Sequence, residues 1–250
     1  MNYQTTSISH DLIPFNVPAN LKNFESVRPQ LLDAARTYID ENFAILQEKC
    51  FEGASSRLII KQFSYLFDHL NQNLFRIAVT GFDHAAVADC ALFAVGGYGR
   101  EEMNPRSDLD LMFYYLPEGE ERIRVIADRL LYLLWDLGLD VGYSIRSSSD
   151  CLEQARDTTV RTALLDVRLI AGERRVFHDF ANDVGQVLQN QDTQGFIKRK
   201  LEERDERKKK YGSSVYLLEP NIKEGEGGLR ELQDALWIAR IKYKADSLHE

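Results

Sequence analysis

Residues 91–115 read ALFAVGGYGREEMNPRSDLDLMFYY, and the fold that we predict for the chain is built around them. Ala91–Val95 and Leu109–Tyr115 are two apolar runs of strand length. Because successive strand side chains alternate between faces, Asp108 and Asp110 are expected to project from the same face, with Cα atoms roughly 6.5 Å apart. The stretch therefore predicts two strands joined by a glycine-containing bend, with a pair of carboxylates on the second strand.

A pair of carboxylates at this spacing is typical of a magnesium site. Mg²⁺ is a hard cation that keeps several waters and takes one or two carboxylates plus phosphate oxygens. A turn would also explain Asp108, but Asp110 lies between two leucines, where a charge needs another reason. Gly96 and Gly97 lack a Cβ where the first strand ends, so backbone N–H groups there can approach a phosphate. The pattern predicts metal-dependent nucleotidyl transfer, with Asp108 and Asp110 as the metal ligands.

The overall composition bounds the possible partners and the location of the protein. The chain has 250 residues, of which 44% are hydrophobic and 28% charged, as in an ordinary soluble domain. The net charge of −8 argues against an extended nucleic-acid footprint, which needs a basic stripe. No apolar run approaches the length of about 18 residues that a membrane span needs, and the N-terminus has no signal-peptide pattern. The three cysteines match no zinc or disulfide spacing. We therefore predict a cytoplasmic protein with no nucleic-acid and no membrane partner.

Hydrophobic periodicity predicts an α+β fold, in which a small mixed sheet is covered by helices. A polar leader over residues 1–20 precedes two long amphipathic helices, which form a packing layer. The predicted elements are helices over 21–50 and 58–77, strands over 91–96 and 109–115, a helix over 123–137, a strand over 140–145, and helices over 158–171, 174–188, 193–210 and 231–243.

The string GGYGR followed by SDLDL resembles the nucleotidyltransferase signature of the polymerase-β-like superfamily. The longer string AVGGYGREEMNPRSDLDLMF is similar to one branch of it, the GlnD family. Three further segments agree with that branch in the same order: LLYLLWDLGLDVGYSIRS (130–147), TALLDVRLIAGERRVF (162–177) and YLLEPNIKEGEGGLRELQDALW (216–237). The last segment contains an element that also occurs in glutamine-synthetase adenylyltransferases, so it does not separate the two on its own.

The resemblance implies a uridylyltransferase that transfers UMP from UTP to a tyrosine of the nitrogen-regulatory PII signalling protein, with Mg²⁺ as cofactor and pyrophosphate as product. In the family, an HD-type uridylyl-removing domain and two ACT domains follow, so we expect the chain to be the front part of a longer protein. We divide it into an N-terminal helical region (1–85), a nucleotidyltransferase core (86–172) and a helical region with the loop KEGEGGLRE (173–250).

The same resemblance suggests roles for residues around the glycine bend. Gly96 and Gly97 would lie along the triphosphate. Arg100 would reach a β or γ oxygen, unless it is an exposed loop arginine. Ser107 would bond a phosphate, or else stabilise the turn before the aspartates. Arg100 and Ser107 therefore each have two possible roles, one at the phosphates and one in the loop itself.

Superfamily members usually add a third carboxylate from an adjacent strand, which positions or deprotonates the nucleophile. Asp140, at the head of the third strand, is the best placed by sequence, and Asp157 is the rival. An N-cap is the simpler explanation of Asp157, because a helix is predicted from the next residue. Arg146 follows the third strand and is a candidate to face the nucleotide.

The segment over 219–230 carries Lys223 and Arg230, which can pair with phosphate or with an acidic protein surface. Its three glycines form either a phosphate loop or an irregular connection that caps the next helix. The sequence departs from the family at Tyr143, where a histidine is usual, and at Glu231, where aspartate is usual. The change at Tyr143 puts any histidine-dependent step there in doubt, whereas Glu231 keeps the charge.

Three other functions are compatible with these motifs. An adenylyltransferase acting on glutamine synthetase would use ATP rather than UTP. A non-catalytic regulatory module would bind nucleotide or protein without turnover. A glycosyltransferase could use a DxD with a nucleotide sugar, but it would not need the glycine pair upstream.

Overall fold

The computed structural model describes residues 24–211 and 221–245, together with Leu12 and Phe15. The predicted leader therefore lies outside the described residues apart from those two, and so do residues 212–220 of the glycine-rich segment. The chain forms two compact units. One, which we call the sheet unit, comprises residues 1–148 and 166–178, and the other, the helical unit, comprises residues 149–165 and 179–250.

The elements alternate between helices and strands along the chain. They are α1 (Phe24–Phe51), α2 (Ser56–Ala78), α3 (His84–Val87), β1 (Cys90–Ala94), α4 (Gly96–Gly99), β2 (Leu109–Tyr115), a 3₁₀ turn (Pro117–Gly119), α5 (Glu120–Asp136), β3 (Val141–Arg146), α6 (Ser148–Gln154), α7 (Thr158–Leu165), β4 (Arg168–Gly172), α8 (Arg174–Phe180), a π turn (Ala181–Gly185), α9 (Gln186–Asn190), α10 (Thr193–Tyr211) and α11 (Leu229–Tyr243).

The four strands form one mixed sheet in the order β3-β2-β1-β4. The central strand β1 pairs antiparallel with both β2 and β4, whereas β2 and β3 are parallel. Helix α5 connects the two parallel strands, as a parallel pair requires a crossover. The predicted α+β fold with a small mixed sheet is confirmed, and β2 has the bounds that the sequence predicted.

One face of the sheet packs against a layer of helices. Leu92, Leu111 and Phe113 belong to a single hydrophobic core with side chains from α1, α2 and α5. Helix α2 begins at Ser56, slightly before the predicted start at Leu58, and the Ser55 side chain caps it by accepting a hydrogen bond from the Leu58 N–H at 3.3 Å. The two N-terminal helices are therefore the predicted packing layer, and they leave the opposite sheet face for other contacts.

Aromatic side chains occupy much of that opposite face. The rings of Phe93 and Tyr114 stack with centroids 5.2 Å apart, and the Phe177 ring of α8 packs edge-on against Phe93 at 5.6 Å. The Tyr114 hydroxyl lies 2.5 Å from the Ser148 hydroxyl. Because strand side chains alternate, this is the face to which Asp110 also belongs.

The predicted helix over 158–171 is wrong in its second half. Helix α7 ends at Leu165, and residues 168–172 form β4, which pairs with β1. The apolar residues of this segment recur at steps of three and four, but the run after Leu165 is short enough for a buried strand. Gly172 ends the strand with φ +105°, and a Cβ there would lie 2.6 Å from the Cys90 carbonyl oxygen.

The helical unit has a small core of its own. Phe196 of α10 packs with Trp237 and Ile241 of α11, and all three are buried. The predicted helices over 193–210 and 231–243 are confirmed with small shifts at their ends. Within the described part of the chain, no helix combines the length and the apolar character needed to cross a membrane.

We predict that Leu70→Ala lowers the free energy of unfolding by about 2–5 kcal/mol, because the Leu70 side chain is fully buried in the helical layer. Urea denaturation followed by circular dichroism measures the change. Val125→Ala on α5 is the control, since Val125 is 42% exposed, and it should shift the unfolding free energy by no more than about 0.5 kcal/mol. Equal effects of the two substitutions would contradict this packing.

Candidate active site

Asp110 is the single residue of β2 that is not buried. It lies on the sheet face opposite the helical layer, and it pairs in register with Gly142 of β3. The backbone oxygen of Asp110 accepts a hydrogen bond from the Val95 N–H at 3.0 Å, so the end of β1 is joined to β2 beside the carboxylate. The predicted neighbourhood of the aspartate and the glycine bend is therefore present in the structure.

Two glycines make room for the Asp110 carboxylate. A Cβ built on Gly96 would lie 3.1 Å from Asp110 Oδ2, and one built on Gly142 would lie 2.7 Å from Asp110 Oδ1. Gly96 also has φ +58°, a backbone conformation that favours glycine. The carboxylate thus lies between two stretches of bare backbone, one from the bend and one from the edge strand.

Asp108 and Asp140 lie at the same end of the two parallel strands. Asp108 is exposed and stands just before β2, and Asp140 is exposed and stands just before β3. The Leu109 N–H donates to the Asp140 carbonyl oxygen at 2.9 Å, so continuing the register places Asp108 across from Asp140. Adjacent strands are about 4.8 Å apart. Asp140 is accordingly the predicted third carboxylate that the fold brings to the edge of the site.

The three aspartates do not form a closed metal cage. Within residues 24–211 and 221–245, no group of three or more His, Cys, Asp or Glu side chains lies close enough to hold a metal ion. Mg²⁺ usually takes only one or two carboxylates and completes its shell with water and phosphate oxygens. The pair Asp108 and Asp110 has the chemistry that such an ion requires.

The glycine bend, which forms the short helix α4 (Gly96–Gly99), is held in place by an arginine from β4. Arg168 Nη1 and Nη2 donate to the two carboxylate oxygens of Asp68 on α2, at 2.5 and 3.0 Å. The same guanidinium donates to the backbone carbonyl oxygens of Tyr98 and Gly99, at 3.1 and 3.3 Å. Burial lowers the pKa of Arg168, but the charge of Asp68, its hydrogen bonds to Asp68 and electrostatic interactions with Tyr98 and Glu101 together raise it by more, so the pKa lies above its ordinary value. The arginine therefore stays charged while it holds the bend.

Close backbone contact fixes the same bend from a second side. A Cβ on Gly99 would lie 1.8 Å from the Asp166 carbonyl oxygen, so only glycine fits there. The Tyr98 hydroxyl, which is buried, accepts a hydrogen bond from Asn71 Nδ2 at 3.3 Å. Burial first, and then the Asp68 charge, raise the pKa of Tyr98, which keeps its hydroxyl neutral.

Arg100 is not an exposed loop arginine, because its side chain is largely buried in two ion pairs. Its side chain is 10% exposed; Nη1 donates to Asp166 Oδ2 at 2.6 Å and Nε to Glu102 Oε2 at 2.7 Å. Burial lowers the pKa of Arg100, but Asp166 and Glu102 together raise it by more than burial lowers it. The pKa is therefore above its ordinary value. A Cβ on Gly97 would lie 3.9 Å from Arg100 Nη2. Arg100 braces the bend directly, and its contact with a phosphate stays a prediction.

Three other predicted residues have clear positions. Ser107 Oγ accepts a hydrogen bond from the Asn104 N–H at 3.1 Å, which is the turn-stabilising alternative. Asp157 Oδ1 accepts from the N–H groups of Thr159 and Val160, at 2.8 and 3.0 Å, so Asp157 caps α7. Arg146 is half-buried at the end of β3, on the same sheet face as Asp110.

Tyr143 faces away from the carboxylates. Alternation along β3 places it on the face of α5, where its ring contacts Trp135 with centroids 6.1 Å apart. The ring is 51% exposed. Tyr143, which stands where the family usually has a histidine, therefore lies on the side of the sheet that does not carry Asp110.

The glycine-rich loop of the helical unit is a compact cap on α11. Asn221 Oδ1 accepts from the N–H groups of Lys223 and Glu224, at 3.1 and 2.9 Å. Cβ atoms on Gly225 and Gly228 would lie 2.5 and 2.8 Å from backbone oxygens. Backbone contacts thus account for these glycines, which supports the capping alternative.

The charged residues of this loop differ in their contacts. Arg230 donates to Gln233 Oε1 at 2.9 Å and to Glu224 Oε1 at 3.3 Å, and its guanidinium lies 5.7 Å from the centre of the Trp237 ring. Glu231 Oε2 accepts from the Gly227 N–H at 3.3 Å. Lys223 is exposed. Binding of phosphate or of an acidic surface by Lys223 and Arg230 stays a prediction.

Sequence reasoning missed the residues that position the site rather than line it. Asp68, Asp166 and Arg168 act through contacts between residues distant in sequence, which no local spacing reveals. Gly142 carried a usable signal, because a glycine inside a strand often marks a close backbone approach. The short string DVR at 166–168 does not indicate a strand by itself. Only its pairing with β1 identifies β4.

The fold and the carboxylates beside the glycine bend define a nucleotidyltransferase domain. The family model for GlnD PII-uridylyltransferase matches residues 195–250, and that for the nucleotidyltransferase family DUF294 matches residues 42–143, which include the glycine bend and all three aspartates. The resemblance inferred from the motifs is thus confirmed: the chain belongs to the GlnD uridylyltransferase family.

Similar proteins cover most of this chain. It is 35% identical over 233 residues to the bifunctional uridylyltransferase/uridylyl-removing enzyme of Azospirillum brasilense, a match that covers 90% of this chain and 25% of the relative. The enzyme of the same name from Rhodospirillum rubrum is 37% identical over 204 residues, which are 80% of this chain and 22% of the relative. That from Erythrobacter litoralis is 33% identical over 231 residues, 88% of this chain and 25% of the relative. The chain spans about a quarter of the length of these curated relatives.

We predict that Gly142→Ala displaces the Asp110 carboxylate, because the new Cβ would lie 2.7 Å from Asp110 Oδ1. A displacement of about 1 Å in a reacting group can cost about 10²-fold in rate. We expect kcat for nucleotidyl transfer to fall by that order, with a melting temperature close to that of the parent chain. Gly185→Ala is the matched control, since a Cβ there meets nothing within 4 Å. Equal activity of the two variants would show that Gly142 does not position Asp110.

We predict that Arg168→Met lowers the free energy of unfolding by about 3–5 kcal/mol, because Asp68 is left buried without its charged partner. Urea denaturation measures the loss. The double variant Asp68→Asn/Arg168→Met should recover part of it, since it removes the unpaired charge. Arg124→Met is the control: its pair with Glu120 is exposed, and such pairs contribute at most about 1 kcal/mol. A loss no larger than the control's would refute the role of Arg168.

Proposed function

We propose that this chain transfers UMP from UTP to a tyrosine hydroxyl of the nitrogen-regulatory PII protein, with Mg²⁺ as cofactor and pyrophosphate as product. Two facts support the proposal: the family description names PII, and the relatives are named uridylyltransferase/uridylyl-removing enzymes. The position of Asp110 carries it. Asp110 is the one residue of β2 that is not buried, and the absence of side chains on Gly96 and Gly142 leaves room around its carboxylate.

The residues present suit a magnesium ion bound with a nucleotide. Asp108 and Asp110 supply carboxylate oxygens at the open end of β2. When bound there, Mg²⁺ supplies positive charge that stabilises the charge developing on the phosphates. Because Mg²⁺ usually completes its shell with phosphate oxygens and water, the two carboxylates of Asp108 and Asp110 would be sufficient to hold it.

The chain's own groups position the reactants. The backbone N–H groups at Gly96 and Gly97 donate to the triphosphate, which they can approach because no Cβ covers them. Asp140, at the edge strand next to Asp108, accepts the proton of the acceptor tyrosine hydroxyl. The tyrosine oxygen then forms a bond to the α-phosphorus as the bond between that phosphorus and the bridging oxygen breaks. The electron pair leaves with pyrophosphate, and Arg146 remains a candidate to face the nucleotide.

We predict that Asp108→Asn and Asp110→Asn each lower transfer of label from UTP to purified PII by more than about 10²-fold, the usual scale when stabilisation of developing charge is removed. Transfer is measured with the 250-residue chain, UTP labelled on its α-phosphate, Mg²⁺ and PII. Asp128→Asn is the control, because Asp128 is an exposed residue of α5, and it should transfer at the parent rate. Full activity of Asp110→Asn would remove the proposed metal site.

The same assay separates the alternative functions. An adenylyltransferase would label glutamine synthetase from ATP and would leave PII unlabelled with UTP. A regulatory module would bind UTP with Mg²⁺ and transfer nothing. The cytoplasmic location belongs to the same proposal, since the acceptor is a signalling protein of nitrogen regulation.

A further inference from the structure

The helical unit contains an open cleft of about 660 Å³. Helices α6, α7, α9 and α10 contribute to its walls, and three arginines line it: Arg156, Arg161 and Arg199. Apolar side chains lie between them, among them Leu152 and Val187. A concave, partly apolar site with a few converging polar groups, of a volume between about 300 and 1,000 Å³, is what small-molecule sites usually look like.

Arg161 is the most buried of the three arginines, at 4% exposure. Its Nη2 donates to the carbonyl oxygens of Leu188 and Gln191, at 2.6 and 2.5 Å, and its guanidinium lies 4.9 Å from the centre of the Phe196 ring. Its Nε has no hydrogen-bond acceptor among the described residues. The side chain is therefore held firmly in the wall of the cleft while one of its donors is left unsatisfied, which is costly for a buried charged group.

Arg199 brings a second positive charge to Arg161. Burial first, and then the charge of Arg199, lower the pKa of Arg161, while Asp192 opposes them only in part. Asp192 is already engaged, since its carboxylate accepts from Arg199 Nη2 at 3.1 Å and from the Gly195 N–H at 3.0 Å. The pair of guanidinium groups is thus incompletely neutralised by the protein.

Arg156 adds a third guanidinium that is available to a ligand. It is exposed, and within the described part of the chain its side chain makes no hydrogen bond or ion pair. Three guanidinium groups against the two carboxylates that line the cleft, Glu153 and Asp192, leave an excess of positive charge. An oxyanion in the cleft would pair with the Arg156 guanidinium and would relieve the repulsion between Arg161 and Arg199.

We infer that this cleft binds the oxyanion group of a small molecule, through Arg156, Arg161 and Arg199. The oxyanion is a phosphate or a carboxylate, both of which match the planar fork of a guanidinium. The apolar wall at Leu152 and Val187 contacts the rest of the ligand. The site is assigned from the helical unit alone and is independent of the proposed nucleotidyl transfer.

Inorganic phosphate is the probe for the first arm of the test. It is titrated by calorimetry into the 250-residue chain without Mg²⁺, at a constant ionic strength set with sodium chloride. We expect saturable binding, and we expect Arg156→Gln to weaken it about tenfold, which is the scale of one lost charge-assisted hydrogen bond. Arg199→Gln should weaken it as well, and circular dichroism checks that each variant is folded.

Two controls assign the binding to the cleft. Arg204→Gln removes an arginine of the same helix α10 that pairs with its neighbour Asp205, and it should bind phosphate like the parent chain. Asp110→Asn alters the candidate metal site and should also bind like the parent. The second arm titrates acetate, and the anion that binds more tightly identifies the ligand as a phosphate or a carboxylate.

The inference fails in three cases. These are the absence of saturable binding of either anion, an equal affinity in Arg156→Gln and Arg204→Gln, and a loss of binding in Asp110→Asn while Arg156→Gln retains it. The last result would place the anion at the candidate nucleotide site. Failure of the chain to transfer label from UTP to PII, by contrast, would contradict only the proposed function.

Discussion

The bond between Arg168 and Asp68 ties the glycine bend to the helical layer, and the geometry of the candidate site depends on it. One guanidinium reaches the carboxylate of α2 and two backbone carbonyl oxygens of the bend. Because these groups are largely buried, the ion pair has few alternative arrangements. The bend that is hydrogen-bonded to it is therefore restricted as well. Arg100 and Asp166 add a second ion pair to the same loop. A preorganised loop of this kind would lose little conformational entropy on binding a ligand.

The second constraint is steric and concerns the Asp110 carboxylate. Its neighbours in the bend and in β3 are Gly96 and Gly142, and any side chain there would contact its oxygens. The sheet itself supplies the direction, because alternation sends Asp110 to the face that the α1, α2 and α5 core leaves uncovered. Rigid strands with short backbone contacts can hold a carboxylate more accurately than a loop can. The fold and the site are therefore linked through the same few strand residues.

Much of this arrangement could be predicted from local patterns. The bounds of β2 and the partnership of Asp110 with the bend followed from alternation and glycine chemistry, because both are properties of neighbouring residues. Strand β4 could not be predicted in the same way, since its apolar residues continue the helical spacing of α7 and only pairing with β1 separates the two. The same limit applies to Arg168 and to the pairing of Arg100 with Asp166, where the decisive contact spans 66 residues or more.

The structure also explains why a departure from the family pattern need not alter the site. In the string VGYS, adjacent residues point to opposite faces of the sheet, so they have separate roles. Gly142 makes room for Asp110, whereas Tyr143 packs against Trp135 on the other side. A change from histidine to tyrosine therefore alters the α5 surface and leaves the surroundings of the carboxylate as they were. The same reasoning holds for KEGEGGLRE. Close backbone contacts require Gly225 and Gly228, and a positive φ of +73° favours glycine at Gly227, whereas the Lys223 side chain is exposed.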